Sequence, residues 1–274
     1  MKKFESGVTL IVVLIILIAI TVIGSLAIRS SILSLKVATV SQAQQLLLQN
    51  SDAALFNVEN PATLDRAIAM NGMLGFLKRA ENADKELVFC FKSGNAEFFN
   101  FHNASVIGLN GTSVQKENLG GSGFCELANG FFTSGRNTVL TQVAIKTSDE
   151  SEMSAFQHMQ AGTDPESSKK DPAQMYTVYA TSIFPGLAKS DVSDAQMDAC
   201  LNSRLNGVPS SKLSELEIEI RDVTANSTMA AAVKADKLAA LNAARVTVSD
   251  CLKALGVPTH TQVARYALTQ ALSK

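Results

Sequence analysis

The chain has 274 residues, which is enough for one or two domains with a hydrophobic core. Its formal net charge is −1 at pH 7, so no basic excess indicates a nucleic acid or an anionic surface as a partner, and we predict no direct nucleic-acid binding. Hydrophobic residues make up 46% of the chain, but they are unevenly distributed, because a long uncharged run lies near the N-terminus.

This run, called here the apolar segment, extends from Val8 to Ile28, and its only hydroxyl side chains are those of Thr9, Thr21 and Ser25. As a helix it would be about 31 Å long, close to the thickness of the hydrocarbon core of a bilayer. Basic residues lie on both sides of it, so the flanking charges indicate its orientation only weakly. We predict a transmembrane helix over residues 8–28.

Residues 1–28 allow three interpretations. A cleavable secretory signal would end at the A-x-A-like site 25–27, although the apolar segment is long for such a signal. A plain, uncleaved transmembrane anchor is the second interpretation. The third depends on the sequence MKKFESG, a short basic leader that ends at Gly7 and is followed directly by the apolar sequence VTLIVVL.

That leader and its apolar start resemble a type IV prepilin. The resemblance implies that a prepilin peptidase cleaves after Gly7 and that Val8 becomes the N-methylated first residue of the mature chain. It also implies a type IV pilin fold. This fold is α+β, with a long N-terminal helix, transmembrane and then amphipathic, packed on an antiparallel β-sheet.

One position departs from the common prepilin pattern. Most pilins have Glu as the fifth mature residue, and this chain has Val12 there. A carboxylate in hydrocarbon is costly unless it is paired, and in the family it is thought to meet the free amine of a neighbouring subunit. The missing Glu and the stretch 49–56 resemble PilX-type minor pilins, which suits a subunit at the filament tip. The K-type tip pseudopilin of type II secretion also lacks this Glu and is the nearest alternative.

Apolar residues beyond the apolar segment recur in helical steps, so we predict one helix over residues 8–57, about 75 Å long. A second, shorter helix is predicted over 63–80. Strands are predicted at 87–91, 98–102, 105–107, 138–145 and 175–184, because β-branched and aromatic residues are concentrated there. The stretches 108–123 and 147–172 are predicted to be loops.

The last part of the chain has a helical character. The sequence Ser193-x-x-Gln196 predicts a capping box at the start of a helix. A short strand is predicted at 215–220 from strict alternation, an alanine-rich helix over 222–255 with a stop at Gly256, and a final helix over 259–272. We therefore divide the chain into a leader (1–7), the long helix (8–60), an α+β head (61–189) and a mostly helical C-terminal extension (190–274).

Four cysteines follow the apolar segment: Cys90, Cys125, Cys200 and Cys251. An even number in a secreted or periplasmic protein favours two disulfides, which places the N-terminus inside and the bulk of the chain outside. Four free thiols in a cytosolic protein are the alternative, and their spacing matches no zinc motif. Of the three possible pairings we predict 90–125 with 200–251, because only this one respects the boundary between the head and the extension.

No catalytic grouping is evident in the sequence, and we predict no enzyme activity, no cofactor and no metal. The three histidines, His102, His158 and His260, lie in no known catalytic motif. The glycine-rich stretch 120–123 is not followed by lysine, which argues against a phosphate-binding loop. Acidic clusters at 149–152 and 191–198 could supply oxygen ligands for calcium, but they lack the spacing of a calcium-binding loop.

The resemblance implies a minor pilin at or near the tip of a type IV pilus, which primes assembly and so supports twitching motility, adhesion and DNA uptake. Its implied partners are other minor pilins, the major pilin, a PilY-type tip adhesin, prepilin peptidase and the inner membrane. The chain would cross the inner membrane once with its head in the periplasm, and would lie in the extracellular pilus after assembly. Alternatives are a tip pseudopilin of type II secretion and a membrane-tethered periplasmic enzyme or binding protein; the lack of a catalytic triad or metal cluster disfavours the last.

Overall fold

A computed structural model of the chain describes residues 5–69, 72–92, 99–128, 138–148 and 174–268. Two compact units are distinguished, residues 1–45 and residues 46–274. The helices are α1 (Glu5–Val58), α2 (Pro61–Ile68), α3 (Met73–Leu77), α4 (Asp194–Asn202), α5 (Ser210–Ala225), α6 (Ala231–Arg245) and α7 (Val248–Ala254). The strands are β1 (Glu86–Phe91), β2 (Ala104–Asn110), β3 (Ser113–Asn118), β4 (Leu140–Thr147), β5 (Gln174–Ile183) and β6 (Thr259–Leu268).

Helix α1 is continuous over 54 residues, as predicted, because it contains no proline and its glycines are isolated. Its first part forms the N-terminal unit. Its last part, from Leu46, belongs to the second unit and buries one side, at Leu47, Ala54, Leu55 and Val58. These positions recur at helical spacing, and the last three join the hydrophobic cluster that includes β1 and β4 of the sheet.

Two helices, α2 and α3, occupy the region where the sequence predicted one helix over 63–80. The prediction was wrong in that respect because the chain turns at Gly72, the residue before α3, which has an extended backbone. A Cβ at Gly72 would lie 2.2 Å from the carbonyl oxygen of Arg66 and 2.6 Å from that of Ala67. Only glycine allows this close approach of two backbones.

The six strands form one antiparallel sheet in the order β3-β2-β1-β4-β5-β6. Strand β1 is central, with Val88 opposite Ser105 of β2 and Phe89 opposite Val143 of β4. Alternate residues of β1 face opposite sides, since Phe89 contributes to the cluster with α1 and Val88 to a cluster with Leu205 and Val208. The sheet therefore carries a hydrophobic layer on each face.

The region 99–123 differs from the sequence prediction at two places. Residues 101–103 form a single 3-10 turn where a strand was predicted, and position 98 lies outside the described residues. Strand β3 lies inside the predicted loop 108–123, and it pairs with β2 through a hairpin in which Gly111 has φ +60°. The Asn110-Gly111 pair is a strong signal for such a turn, and the prediction overlooked it. Most of the predicted loop 147–172 lies outside the described residues, although Thr147 still belongs to β4.

The C-terminal extension begins as predicted, with the Ser193–Gln196 capping box at the start of α4. The strand predicted at 215–220 is wrong, because this stretch lies within α5. Leu216 and Val223 are buried against Leu241 of α6. The spacing of seven residues between Leu216 and Val223 fits one face of a helix. The alternating sequence 215–220 also fits a strand, and contact with the second helix, α6, selects the helix.

The alanine-rich region 222–255 is not one helix but the end of α5, then α6 and α7. Asn226 ends α5 and accepts hydrogen bonds from the backbone N–H groups of Thr228 and Met229, which turns the chain. The stop at Gly256 is present, with φ +73°. The last predicted helix is wrong: residues 259–268 form β6, which pairs with β5 along its whole length and satisfies the edge of that strand. Positions 269–272 lie outside the described residues.

The C-terminal helices lie in two groups. Helices α4 and α7 share a hydrophobic cluster with β4 and β5, in which Leu201, Leu252 and Ile183 are fully buried. Helices α5 and α6 form a hairpin with a small cluster of its own, which Leu109 of β2 joins to the sheet. The architecture is thus α+β, with a long apolar N-terminal helix, a six-stranded antiparallel sheet and C-terminal helices, consistent with a pilin-like fold.

Candidate functional site

The apolar segment is the most unusual surface of the molecule. Every large apolar side chain from Leu10 to Ile28 is between 49% and 69% exposed, on all sides of the helix. A helix that is apolar all round is not stable in water and needs a membrane or other helices around it. In the described part of the chain, α1 is the one helix that is long and apolar enough to cross a membrane, as judged by length and composition.

Two threonine hydroxyls of α1 are satisfied within the helix. The hydroxyl of Thr21 donates a hydrogen bond of 2.8 Å to the carbonyl oxygen of Ile18, and that of Thr39 donates one of 2.8 Å to Leu35. Such bonds back to the preceding turn satisfy these hydroxyls without water. No charged residue lies between Val8 and Ile28, so the apolar segment is compatible with hydrocarbon.

The residues of the predicted processing site lie at the start of this helix. Gly7 and Val8 are in the first turn of α1, and the burial of side chains is described from Leu10 onward. Val12 lies one turn after Val8 and is 49% exposed. The helix therefore presents an exposed apolar side chain at this position.

Two disulfides cross-link the second unit. Cys90 of β1 is bonded to Cys125, and Cys200 of α4 is bonded to Cys251 of α7. This is the pairing that we expected from the sequence, and no described cysteine is free. The first disulfide ties the segment after β3 to the centre of the sheet, and the second ties two helices of the same layer together. Both disulfides are suited to an oxidising compartment.

A buried carboxylate that sequence analysis did not identify joins the sheet to the C-terminal helices. Glu86, at the start of β1, is fully buried and accepts hydrogen bonds from the backbone N–H groups of Asn206 (2.9 Å) and Gly207 (2.8 Å) and from Asn206 Nδ2 (3.2 Å). Burial raises the pKa of Glu86, and these hydrogen bonds and the Lys146 ammonium oppose the increase. Asn206 Oδ1 in turn accepts from Thr181 of β5.

Gln142 of β4 makes a second polar connection on the same face of the sheet. Its Oε1 accepts from the N–H of Cys125 at 3.0 Å, and its Nε2 donates to the carbonyl oxygen of Leu201 at 2.9 Å. Nearby, Asp198 of α4 accepts from the N–H of Leu127 at 2.9 Å, and partial burial raises the pKa of this carboxyl. The buried polar side chains of this face therefore act as structural links between layers.

The other face contains a small apolar cavity of about 80 Å³. Two tyrosines border it: the hydroxyl of Tyr176 donates to the carbonyl oxygen of Leu74 at 2.9 Å, and that of Tyr266 donates to Glu59 at 2.5 Å. Burial raises the pKa of Tyr176 to about 12, so this hydroxyl stays protonated at neutral pH. A cavity of this size is well below the roughly 300–1,000 Å³ of typical ligand pockets, so it is too small for a drug-sized organic substrate.

The comparisons with known proteins give no assignment. The chain matches no family model, no curated protein and no solved structure. Function therefore has to be argued from the residues and the geometry alone.

The histidines and acidic clusters that could serve catalysis or metal binding do not form a site in the described part of the chain. There, no group of three or more His, Cys, Asp or Glu could hold a metal ion. Asp194 lies in the first turn of α4, where a carboxylate complements the helix dipole. His102 belongs to an exposed 3-10 turn and His260 to β6. The acidic cluster at 149–152 and His158 lie outside the described residues.

Proposed function

We propose that this chain is a minor subunit of a type IV pilus, incorporated at or near the tip of the filament, where it primes assembly. The observation that carries the proposal is the position of the leader-like sequence MKKFESG directly before the apolar segment, whose described large side chains are exposed on every side of α1. The α+β head with two disulfides supports it, because a head of this kind suits the periplasm and the cell exterior.

In this function the apolar segment has two successive environments. It first holds the subunit in the inner membrane as a single span, with the head in the periplasm, and then joins a bundle of similar helices in the filament. Both environments would cover the exposed side chains of residues 10–28. Twitching motility, adhesion and DNA uptake then depend on the subunit through the filament that it primes.

Val12 gives the subunit its place in the filament. In a medium of low dielectric constant, the Glu of an incoming subunit attracts the amine of the subunit already docked. A subunit with Val12 offers no such attraction, but the amine of Val8 after processing can still recruit the Glu of the next subunit. This asymmetry suits an initiator, which has a subunit on one side only.

The proposed partners follow from this position. They are other minor pilins and the major pilin, a PilY-type tip adhesin, and prepilin peptidase. A non-enzymatic role is supported by the way Glu86, Gln142 and Asp198 use their polar atoms in links between layers. The head would therefore act through its surface.

Processing tests the family assignment directly. Mass spectrometry of the mature chain from cells with active prepilin peptidase should find N-methylated Val8 as the first residue. Gly7→Lys should leave the precursor in the membrane, whereas Gly24→Ala should be processed normally, since a Cβ at Gly24 meets no atom within 4 Å. A mature chain that begins at Ile28 would show an ordinary secretory signal and overturn the proposal.

Labelling tests the position in the filament. Immunogold labelling of sheared pili should mark one end, at a few copies per filament. Val12→Glu should spread the label along the shaft, because the carboxylate is restored at the fifth mature position. Val13→Glu is the matched control, since it places the same charge about 100° around the helix and should reduce incorporation instead. Regular labelling of the shaft by the unaltered chain would refute the tip position.

A tip pseudopilin of type II secretion is the second candidate, and Val12 favours it equally. Deletion of the gene separates the two. Loss of surface pili with normal export of folded proteins supports the pilus, and loss of export with normal pili supports the secretion system.

A further inference from the structure

The sequence contains four Asn-Gly pairs, at positions 71–72, 110–111, 129–130 and 206–207. An asparagine loses its side-chain amide when the backbone nitrogen of the next residue attacks the side-chain carbonyl carbon, and glycine, which has no Cβ, hinders that attack least. Asn71 and the pair 129–130 lie outside the described residues. The other two pairs share the tripeptide Leu-Asn-Gly, so their intrinsic reactivity is matched and only their surroundings differ.

The pair Asn110-Gly111 is open to this reaction. It lies at the tip of the β2–β3 hairpin, where both residues are exposed. In the described part of the chain, the Asn110 side chain takes part in no hydrogen bond and the Gly111 N–H donates none. A Cβ placed on Gly111 would meet no atom within 4 Å. The attacking nitrogen and the side chain that it attacks are therefore both free.

The pair Asn206-Gly207 is held at each of the same groups. The Gly207 N–H, whose nitrogen would attack, donates to Glu86 Oε1 at 2.8 Å. The Asn206 side chain donates from Nδ2 to Glu86 Oε2 at 3.2 Å and accepts at Oδ1 from Thr181 at 3.2 Å. A Cβ on Gly207 would lie 2.2 Å from the hydroxyl of Tyr179, so the space beside this glycine is filled. Attack would require the buried Asn206 amide to leave both of its hydrogen bonds.

We infer that Asn110 is a site of spontaneous deamidation and that the Glu86 carboxylate protects Asn206 from the same reaction. At Asn110 the Gly111 nitrogen forms a bond to Cγ, the bond from Cγ to Nδ2 breaks, and Nδ2 leaves as ammonia with the proton of the Gly111 N–H. Water then opens the resulting succinimide ring at either carbonyl. One product is aspartate, and the other is isoaspartate, in which the main chain runs through the side-chain carbonyl. One water is consumed, one ammonia is released, and nothing is oxidised or reduced.

The reaction changes the tip of the hairpin in charge and in shape. A carboxylate replaces a neutral amide beside β3, a strand that already carries Lys116 and Glu117. Isoaspartate also lengthens the main chain by one methylene group, which disturbs the pairing of Asn110 with Ser113 that closes the hairpin. Because the reaction needs only water and time, its extent at Asn110 records the age of each molecule.

Peptide mapping by mass spectrometry tests both parts of the inference. Trypsin places the four Asn-Gly pairs in different peptides, of which 93–116 contains Asn110 and 205–212 contains Asn206. The full chain in detergent micelles is incubated in mildly alkaline buffer, with and without denaturant, and the deamidated fraction at each position is compared with a zero-time sample. In the folded chain Asn206 should react on the order of 100-fold more slowly than Asn110, because it reacts only while its hydrogen bonds are open. In denaturant the two rates should be similar.

Variants assign the protection to Glu86. Glu86→Ala removes the acceptor of the Gly207 N–H and of Asn206 Nδ2, so the rate at Asn206 should rise on the order of tenfold while the rate at Asn110 stays the same. Glu86→Gln keeps one acceptor oxygen and should give a smaller increase. Glu117→Ala is the matched control, since it removes a carboxylate from β3 and should leave the rate at Asn206 unchanged. Near-UV circular dichroism identifies the variants that are folded, and only these are compared.

Three results would each overturn the inference. They are equal rates at Asn110 and Asn206 in the folded chain, no reaction at Asn110 in the folded chain, and an unchanged rate at Asn206 in a folded Glu86 variant. The measurement needs neither cleavage after Gly7 nor a filament, so its outcome is independent of the proposed function.

Discussion

Removal of the Glu86 carboxylate should destabilise the head more than any other single change to a charged group in the described residues. Glu86→Ala leaves three N–H donors without the acceptor that they have now, two from the buried Asn206 and one from the partly buried Gly207, and it removes a charge that interacts with Lys146. Each unsatisfied donor costs about 1–3 kcal/mol, whereas the removal of a desolvated carboxylate offsets part of that cost.

We expect a net loss of about 3 kcal/mol in the free energy of unfolding. For a unit of this size, that loss corresponds to a decrease of roughly 6–12 °C in the melting temperature. The chain contains no tryptophan, so the assay is near-UV circular dichroism of its tyrosines, with the full chain in detergent micelles. Tyr176 and Tyr179 of β5 lie in the unit that unfolds, and they report on it while α1 stays helical in the micelle.

Two variants make the test specific. Glu117→Ala removes the same side chain from the exposed edge strand β3 and should change stability by less than about 0.5 kcal/mol. Glu86→Gln keeps one acceptor oxygen but turns an amide donor toward the N–H of Gly207. Its decrease in the free energy of unfolding should therefore lie between those of Glu86→Ala and Glu117→Ala. If Glu86→Ala and Glu117→Ala lower the free energy of unfolding by the same amount, the Glu86 carboxylate does not link the sheet to the C-terminal helices and the prediction is wrong.

Three further predictions concern the same unit. Replacement of both cysteines of either disulfide by alanine should cost about 4 kcal/mol in the chain-entropy model, given loops of 35 and 51 residues, as measured by denaturant unfolding. Val178→Ile should fill part of the 80 Å³ cavity and raise the free energy of unfolding by about 1 kcal/mol. Val143 is fully buried and does not line that cavity, so Val143→Ile should lower the free energy of unfolding. Equal effects of the two variants would show that the cavity does not cause the stabilisation. Burial raises the pKa of Glu86 above its ordinary value of 4.5, so the folded unit binds this proton more tightly than the unfolded chain does. The stability that comes from this difference in proton binding is fully present below the unfolded-state pKa and is lost as the pH rises through the folded-state pKa, so denaturant unfolding of Glu86→Gln, which cannot titrate, should depend less on pH over this window.

The parts of the fold that sequence analysis predicted correctly depend on local patterns. Helix α1 follows from fifty residues without a proline, and the capping box at Ser193 fixes the start of α4 through side chains three residues apart. Strands β1, β4 and β5 follow from concentrations of β-branched and aromatic residues. The disulfide pairing followed from the order of the cysteines along the chain.

The parts that were wrong depend on distant contacts. Residues 259–268 begin like a capped helix, but they form β6 because the edge of β5 needs a partner. The alternation at 215–220 fits two periods, and only packing against α6 selects the helix. The structural role of Glu86 could not be predicted, because nothing in the sequence shows that the backbone N–H groups of Asn206 and Gly207, about 120 residues later, lie beside its carboxylate.

The position of β6 at the edge of the sheet has a consequence for biogenesis. The hydroxyls of Thr181 and Thr261 lie 3.0 Å apart although they are 80 residues apart in sequence, and four helices intervene. During synthesis, β5 therefore has an unpaired edge until residues 259–268 have been made. Late, non-local pairing of this kind is slow and exposes an aggregation-prone intermediate. A chain that stalls or is truncated before Thr259 would thus keep the edge of β5 exposed, which makes β6 the element that signals a completed sheet.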